Sequence, residues 1–361
     1  MKDALRDQRK LHVWLLILAA IFAAYFWLRR SRTAMNALCG GFLLPLERGI
    51  GQLCSHTSVS VAEVCVIIAV CALFFYVTWW VRQIAAARQK GRVLYHGVLT
   101  ILCSVLTVYA GFCLLWGVFY HTDSFQDQSG LTARGGTAQE LESLTAYFAR
   151  EASRTADEVA RGEDGCFAVD RREIFTAAQQ AYPQLYGEFP FLAMEDTAPK
   201  AVACSRILSV MDFTGFYFPF TGEANVNVDS PAAYLPATIC HEMAHQRGIA
   251  SEQECNFLGI LASVRSDSAA YRYSGWLTGY LYLSNALYRT DRESWLSIRE
   301  SLPETVLADL RQNQVYWAQF DGPVQDTVQT VYDGFLKANG DKRGIQSYGT
   351  VVDLLLAYYD P

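Results

Sequence analysis

Histidine is scarce in this chain: six in 361 residues, His12, His56, His96, His121, His241 and His245. Charge is scarce too, with Asp, Glu, Lys and Arg at 18% of the residues. The net charge is −6 and no basic patch stands out, which argues against a nucleic-acid partner. Ten cysteines are present, but no C-x-x-C pair of the metal-binding kind. No internal repeat and no low-complexity tract is visible. What fills the space is apolar, 52% of the chain, which is high for a soluble protein. The length suits a membrane region followed by one or two domains.

The apolar excess lies at the N-terminus. Leu11 to Leu28 is almost uninterrupted, Val61 to Val81 is broken by Glu63 alone, and Val93 to Tyr120 holds a single His96. Each run is long enough to cross a hydrocarbon core of about 30 Å. The first run lacks a small-residue cleavage site and is followed by Arg29, Arg30 and Arg32, so it reads as an uncleaved anchor. Lys2, Arg6, Arg9 and Lys10 in the head, with Arg82, Arg88, Lys90 and Arg92 after the second run, predict that both segments are cytoplasmic. The Arg cluster after the first run pulls the other way. On balance the C-terminal domain is expected outside the cell membrane. Cys39 and Cys54 share the external loop and could pair there.

The expected organisation is a membrane region at 1–122 with transmembrane helices at about 11–28, 61–81 and 93–120. A polar linker follows at 123–136, then a domain at 137–361. The domain reads as α+β, mainly α. Helical spacing covers Thr137 to Arg161 and Asp170 to Tyr182, and alternation marks a strand from Glu223 to Val228. Helices follow at Glu252 to Val264, Ala269 to Tyr288, Asp291 to Ile298, Pro303 to Phe320 and Val324 to Asn339. The tyrosines between Tyr271 and Tyr288 read as a core stripe. One of them, or Tyr348, is also available to donate to an oxyanion.

Two of the six histidines fall in His241-Glu242-Met243-Ala244-His245. Histidines four apart lie on one helix face and reach a single ion, and the adjacent glutamate can take a proton from the attacking water. A catalytic zinc site needs a third protein ligand and an open position. No histidine follows His245, so the third ligand is acidic or a thiolate. Gly248 is placed to end the metal helix, and Ser251 to cap the next one. Glu254 then completes a capping box, which leaves Glu252 free to be the ligand. Glu254 comes next as a candidate, with Cys240 and Cys255 behind it. Asn256 shares the Glu252 face and can hydrogen-bond a metal ligand.

The block from Gly222-Glu223-Ala224-Asn225-Val226-Asn227 through the motif to Glu252-x-Glu254-Cys255-Asn256-Phe257-Leu258 resembles a bacterial membrane-protein family described only as a domain of unknown function, DUF3810. Gly215-Phe216-Tyr217-x-Pro219-Phe220 and Gln346-Ser347-Tyr348 are similar as well. That family in turn resembles the gluzincin metallopeptidases, whose H-E-x-x-H is followed by a helix bearing E-x-x-x-D. Glu252 matches the Glu, and Asn256 stands where the Asp would be. The gap from His245 to Glu252 is short for that pattern, and Cys255 stands where Ala is expected. The resemblance implies a zincin-like fold, a Zn²⁺ cofactor held by His241, His245 and Glu252, and Glu242 as general base. The strand before the metal helix stands where zincin folds place the edge that pairs with extended substrate, and Asn225 and Asn227 read either as cleft residues or as ordinary turn or edge polarity. The expected function is a multi-pass, membrane-anchored zinc metallopeptidase acting on a peptide or protein, its spans serving as an anchor in the lipid bilayer. The alternatives are a non-proteolytic zinc-binding sensor or scaffold, or an amidase acting on cell-wall polymers.

Overall fold

The structure is a computed structural model that describes residues 2–338 and 348–359. Three of its helices are long and apolar enough to cross a membrane: Gln8–Leu28, Val61–Ala86 and Lys90–Gly117. They belong to α1 (Lys2–Leu28), α4 (Val61–Ala86) and α5 (Lys90–Phe112), the last extended by a π turn, Cys113–Gly117. The segment between the first two folds into α2 (Arg32–Leu38) and α3 (Leu44–Cys54).

Polar side chains fix how the spans run. His12 Nε2 meets the Tyr95 hydroxyl at 2.8 Å, and Trp14 Nε1 donates to Thr107 at 2.9 Å. Further along, the Phe22 and Tyr109 rings lie 5.5 Å apart. Residue numbers rise together on both helices, so α1 and α5 are parallel. Trp80 Nε1 donates to the Val93 carbonyl across the turn between α4 and α5, which makes that pair antiparallel. The C-terminal ends of α1 and α5 and the start of α4 therefore gather at one end, with α2, α3 and the remaining chain. All ten cysteines are free thiols. Cys39 and Cys54 lie on one nearly continuous helical run, roughly 20 Å apart at 1.5 Å per residue, too far for a disulfide.

The stretch expected to be a linker contains α6 (Phe125–Ser129), with a capping box between Ser124 and Asp127 and a fully buried Phe125. The domain continues through α7 (Ala138–Ala156), α8 (Arg171–Ala177), β1 (Lys200–Ala201), α9 (Ser205–Val210), β2 (Gly215–Phe218) and β3 (Glu223–Val226). Then come α10 (Leu235–His245), α11 (Glu252–Arg265), α12 (Ala269–Thr290), α13 (Arg292–Glu300), α14 (Glu304–Ala318), α15 (Pro323–Ala338) and α16 (Tyr348–Tyr358). The architecture is mainly helical with one small sheet. Phe148 of α7, Phe257 of α11 and Tyr271, Tyr273 and Tyr280 of α12 fill the core. The tyrosine stripe is thus structural at these positions. Tyr271 donates to the Ile174 carbonyl and Tyr273 to the Asp309 carboxylate.

The sheet order is β1-β3-β2, with β1 parallel and β2 antiparallel to β3. The expected edge strand is therefore the middle strand, because Lys200 and Ala201 pair with Asn225 and Val226 and cover its far side. The outer strand nearest the histidines is β2.

Carboxylates lock the sheet to the spans. Glu223 of β3 accepts from the Val61 and Ala62 N–H groups at 3.2 and 2.8 Å, satisfying the free donors at the start of α4. Glu63 of α4 accepts in return from Ala203 and Cys204 at 2.9 and 2.7 Å. Gly222, at φ +65°, turns the chain between β2 and β3, and a Cβ there would strike the Glu47 carbonyl oxygen of α3. Gly222→Ala is expected to cost about 2–4 kcal/mol, from left-handed strain plus overpacking. A lowered Tm of the full chain in detergent checks this, and an unchanged Tm would show the turn to be pliable.

Candidate metal centre

Both histidines lie on α10, which is set by local signals. Pro236 occupies its first turn, and Gly248, at φ +86°, sits just beyond its end. His241 and His245 stand one turn apart with ring centroids separated by 4.9 Å. The chain then turns into α11, whose cap is Ser251, with its hydroxyl accepting from Glu254 N–H. This places Glu252 at the first position of α11, facing both histidines. Its Oε2 lies 3.2 Å from His241 Nε2, and its Oε1 lies 3.7 Å from His245 Nε2. The three ligand atoms lie within 4.8 Å of one another and could hold a metal ion.

The other nitrogen of each ring is already engaged. His241 Nδ1 meets Asn256 Oδ1 at 2.9 Å, and His245 Nδ1 meets the Ile249 carbonyl at 2.7 Å. Both partners are acceptors, so each ring donates from Nδ1, which leaves Nε2 as the nitrogen a metal would take in exchange for its proton. Asn256→Ala is expected to weaken metal affinity roughly 10–100-fold, as loss of an outer partner typically does. Competition against a chromophoric chelator measures it, and an unchanged affinity would remove Asn256 from the site.

The other ligand candidates are placed elsewhere. The Glu254 side chain does not close a capping box on Ser251. It reaches α6 instead, accepting from Phe125 N–H at 2.9 Å and Gln126 N–H at 3.2 Å. Cys240 is buried in the core. Cys255 lies behind His245, its Sγ 3.3 Å from both His245 Nδ1 and the Ile249 carbonyl. Asn225 and Asn227 do not line the cleft. Both are fully buried: Asn225 accepts from the Ser60 hydroxyl at 2.6 Å, and Asn227 donates to Ser209 and to the Phe213 carbonyl at 2.9 Å.

Glu242 is buried, and one carboxylate oxygen has no hydrogen-bond partner. Gly215 of β2 packs against it so closely that a Cβ would come within 2.6 Å of Oε1. Burial pushes the Glu242 carboxyl up to about 7, against the opposing pull of His241 and His245. Burial pushes Glu252 up as well, but the His245 and His241 rings overrule it and hold that carboxyl well below its usual range. Two glutamates ten residues apart thus have opposite proton affinities.

Three groups on the walls were not legible as site residues. Tyr332 of α15 donates to Glu252 Oε1 at 2.6 Å. Trp116, at the end of the third span, packs edge-on against His245 with centroids 5.4 Å apart. Tyr217 of β2 packs against Trp116 at a tilt, with centroids 5.0 Å apart, and donates to buried Glu47 of α3 at 2.7 Å. The third long apolar helix therefore contributes Trp116 to the walls of the candidate site.

A cavity of about 460 Å³ opens beside Glu242 and Glu252 toward Phe112, Trp116 and Phe335. A second, of about 850 Å³, opens from His241 and Asn256 toward α12, α14 and α16. The two share His241, Asn256, Asp212, Thr214 and Tyr282. Of the oxyanion candidates, Tyr282 thus reaches the site. The Tyr348 side chain, like Gln346 and Ser347, lies outside what the structure describes.

A family model described as "Protein of unknown function (DUF3810)" matches residues 41–356. No curated protein and no solved structure matches the chain.

Proposed function

The chain belongs to the DUF3810 family, and we propose that it is a membrane-anchored, zincin-like metallopeptidase that hydrolyses peptide bonds with zinc and a glutamate base. The convergence of His241, His245 and Glu252 beside a buried Glu242 carries this reading. Two imidazoles and one carboxylate suit zinc, and three protein ligands leave the open position of a catalytic site. Zinc held there supplies Lewis acidity, polarising a substrate carbonyl and acidifying the attacking water.

The protein's own groups do the rest. The unpartnered oxygen of Glu242 accepts the proton of the attacking water and later passes it to the leaving amine. Burial keeps that carboxyl basic enough for the task, and Gly215 leaves it room. Asn256 and the Ile249 carbonyl hold both rings in the ligating tautomer. Tyr332 stands close enough to Glu252 to donate to charge developing beside it. The outer strand β2 runs along the cleft, the place an extended peptide would pair. A zinc-binding scaffold would have no use for a buried base with a free oxygen, which favours hydrolysis over that alternative. Positive charge in the head and after the second span favours an extracytoplasmic domain.

The test is metal analysis of the full chain purified in detergent, followed by a peptide screen. About one zinc per chain is expected, with hydrolysis that a chelator abolishes and added zinc restores. Failure to bind zinc at neutral pH, even when it is supplied, would end the metallopeptidase reading. Cleavage of wall amides in place of peptides would favour the amidase.

A further inference from the structure

We infer that α15 is an interfacial helix, resting its open apolar border in the boundary layer of the bilayer, so that a lipid surface is the partner of this face. This rests on the membrane-anchored reading and extends it from the N-terminal helices to the domain. Val324, Val328, Val331 and Phe335 stand at i, i+4, i+7 and i+11 on α15, which confines them to a sector of about 60°. Asp326, Thr330, Asp333 and Lys337 occupy the opposite side. The metal cleft uses one border of the apolar face. Tyr332 donates to Glu252 there, and Val328, Phe335 and Leu336 line the smaller cavity. The other border stays open, with Val324 58% and Val331 67% exposed. Between the two borders Phe335 packs on Phe112, ring centroids 5.4 Å apart, and Phe112 belongs to the membrane-crossing stretch Lys90–Gly117. The open valines therefore lie past that helix, on the side away from the metal cleft.

Two ties hold α15 at the level where the long apolar helices end. Near its C-terminus the tie is Phe335 on Phe112, the last residue of α5. At its N-terminus the chain arrives from Gln319 and Phe320. Gln319 accepts from Arg206 of α9 at 3.0 Å, and the Arg206 guanidinium lies 4.4 Å over the Phe320 ring. The residues just before α9, Ala203 and Cys204, donate to Glu63 in the first turn of α4. Because α4 and α5 are antiparallel, the start of one and the end of the other lie at the same boundary. The 16 residues of α15 thus run for about 24 Å between two points of that boundary, the course of a helix lying in the membrane plane. Ile207 of α9 is 60% exposed and adds to the same surface. A helix in this position sinks its apolar side about 5–10 Å into the boundary layer and keeps its charges in water. Lys337 is the one basic residue of α15, against Asp326 and Asp333, so apolar contact rather than attraction to anionic headgroups holds it. Tyr332 follows Val331 directly, so a single turn of α15 would join lipid to the candidate metal ligand Glu252.

The experiment reads contact with lipid directly. The full chain is reconstituted in phosphatidylcholine vesicles with a benzophenone amino acid at one position, and lipid adducts on the irradiated protein are read by mass spectrometry. Probes at Val324 and Val331 are expected to give about tenfold more adduct than probes at Asp326 and Thr330, because only the first pair sits in the boundary layer. A probe at Ile207 repeats the test on α9. A probe at Phe74, in the middle of α4 and 64% exposed, reports on the long apolar helices themselves. Each probe replaces an exposed side chain, and a melting temperature matching the parent's shows that the variant is folded. Strong labelling at Phe74, with Val324 and Val331 no higher than Asp326 and Thr330, would overturn the inference and leave the anchored reading standing. No adduct at Phe74 would overturn both. Crosslinks from Val331 to a second copy of the chain, in place of lipid, would also overturn the inference and assign this face to a protein contact.

Discussion

Glu242→Gln is expected to lower peptide hydrolysis by roughly 10³-fold, while zinc content stays at about one per chain. The amide is nearly isosteric with the carboxylate, so the tight fit against Gly215 is preserved. Glu242 is also absent from the group that could hold the metal, so the ligand set is untouched. What the substitution removes is the proton acceptor. A loss of roughly 10³ corresponds to about 4 kcal/mol of transition-state stabilisation. Single-turnover assays on equal amounts of metal-loaded protein would read it. Retained activity in Glu242→Gln would assign the base elsewhere and leave the mechanism without its centre.

The second large effect separates two glutamates only two residues apart. Glu252→Ala takes away the sole carboxylate of the ligand group and leaves two imidazoles. Zinc is expected to fall from about one per chain to near none after dialysis, because affinity depends on the complete ligand set. The fold should survive, since Ser251 still caps α11. Glu254→Ala should behave in the opposite way. It leaves zinc bound but strips the partner from two backbone N–H groups of α6, at roughly 2–5 kcal/mol in total. Metal content and thermal unfolding measured on both variants give a crossed pattern. If Glu254→Ala lost the metal and Glu252→Ala kept it, the ligand assignment would be reversed.

Why Glu252 was readable from the sequence, and Tyr332 was not, is a question of range. The histidine spacing, the helix-ending Gly248, the Ser251 cap and the Asn256 offset are all local, and local rules place them. The same rules gave the strand at Glu223 and the helices from Glu252 onward, with ends shifted by a few residues. Tyr332 meets Glu252 across 80 residues of chain, and nothing near Tyr332 points back to the motif. Trp116 was hidden differently. In an apolar run every residue looks lipid-facing, so the one that turns toward His245 carries no mark. The four residues of β2 are too few to show alternation. Glu254 was misread in part because its true partner, the α6 backbone, lies in a stretch whose polarity suggested a linker. Asn225 and Asn227 looked like cleft residues because β3 looked like an edge. Only the parallel pairing with β1 moves that strand to the middle.

The contact between Trp116 and His245 also bears on the order in which the protein is made. A chain emerges from the ribosome N-terminus first, and its parts fold roughly in that sequence. The spans, α3 with Glu47, and Trp116 are therefore in place before the histidine helix exists. The half that carries the candidate metal ligands then completes itself against a wall already set in the bilayer. Insertion into the membrane becomes a prerequisite for a finished site, and a copy that never reached the bilayer would lack the surface on which His245 and β2 settle. Biogenesis itself would then confine the proposed chemistry to copies that have entered the membrane.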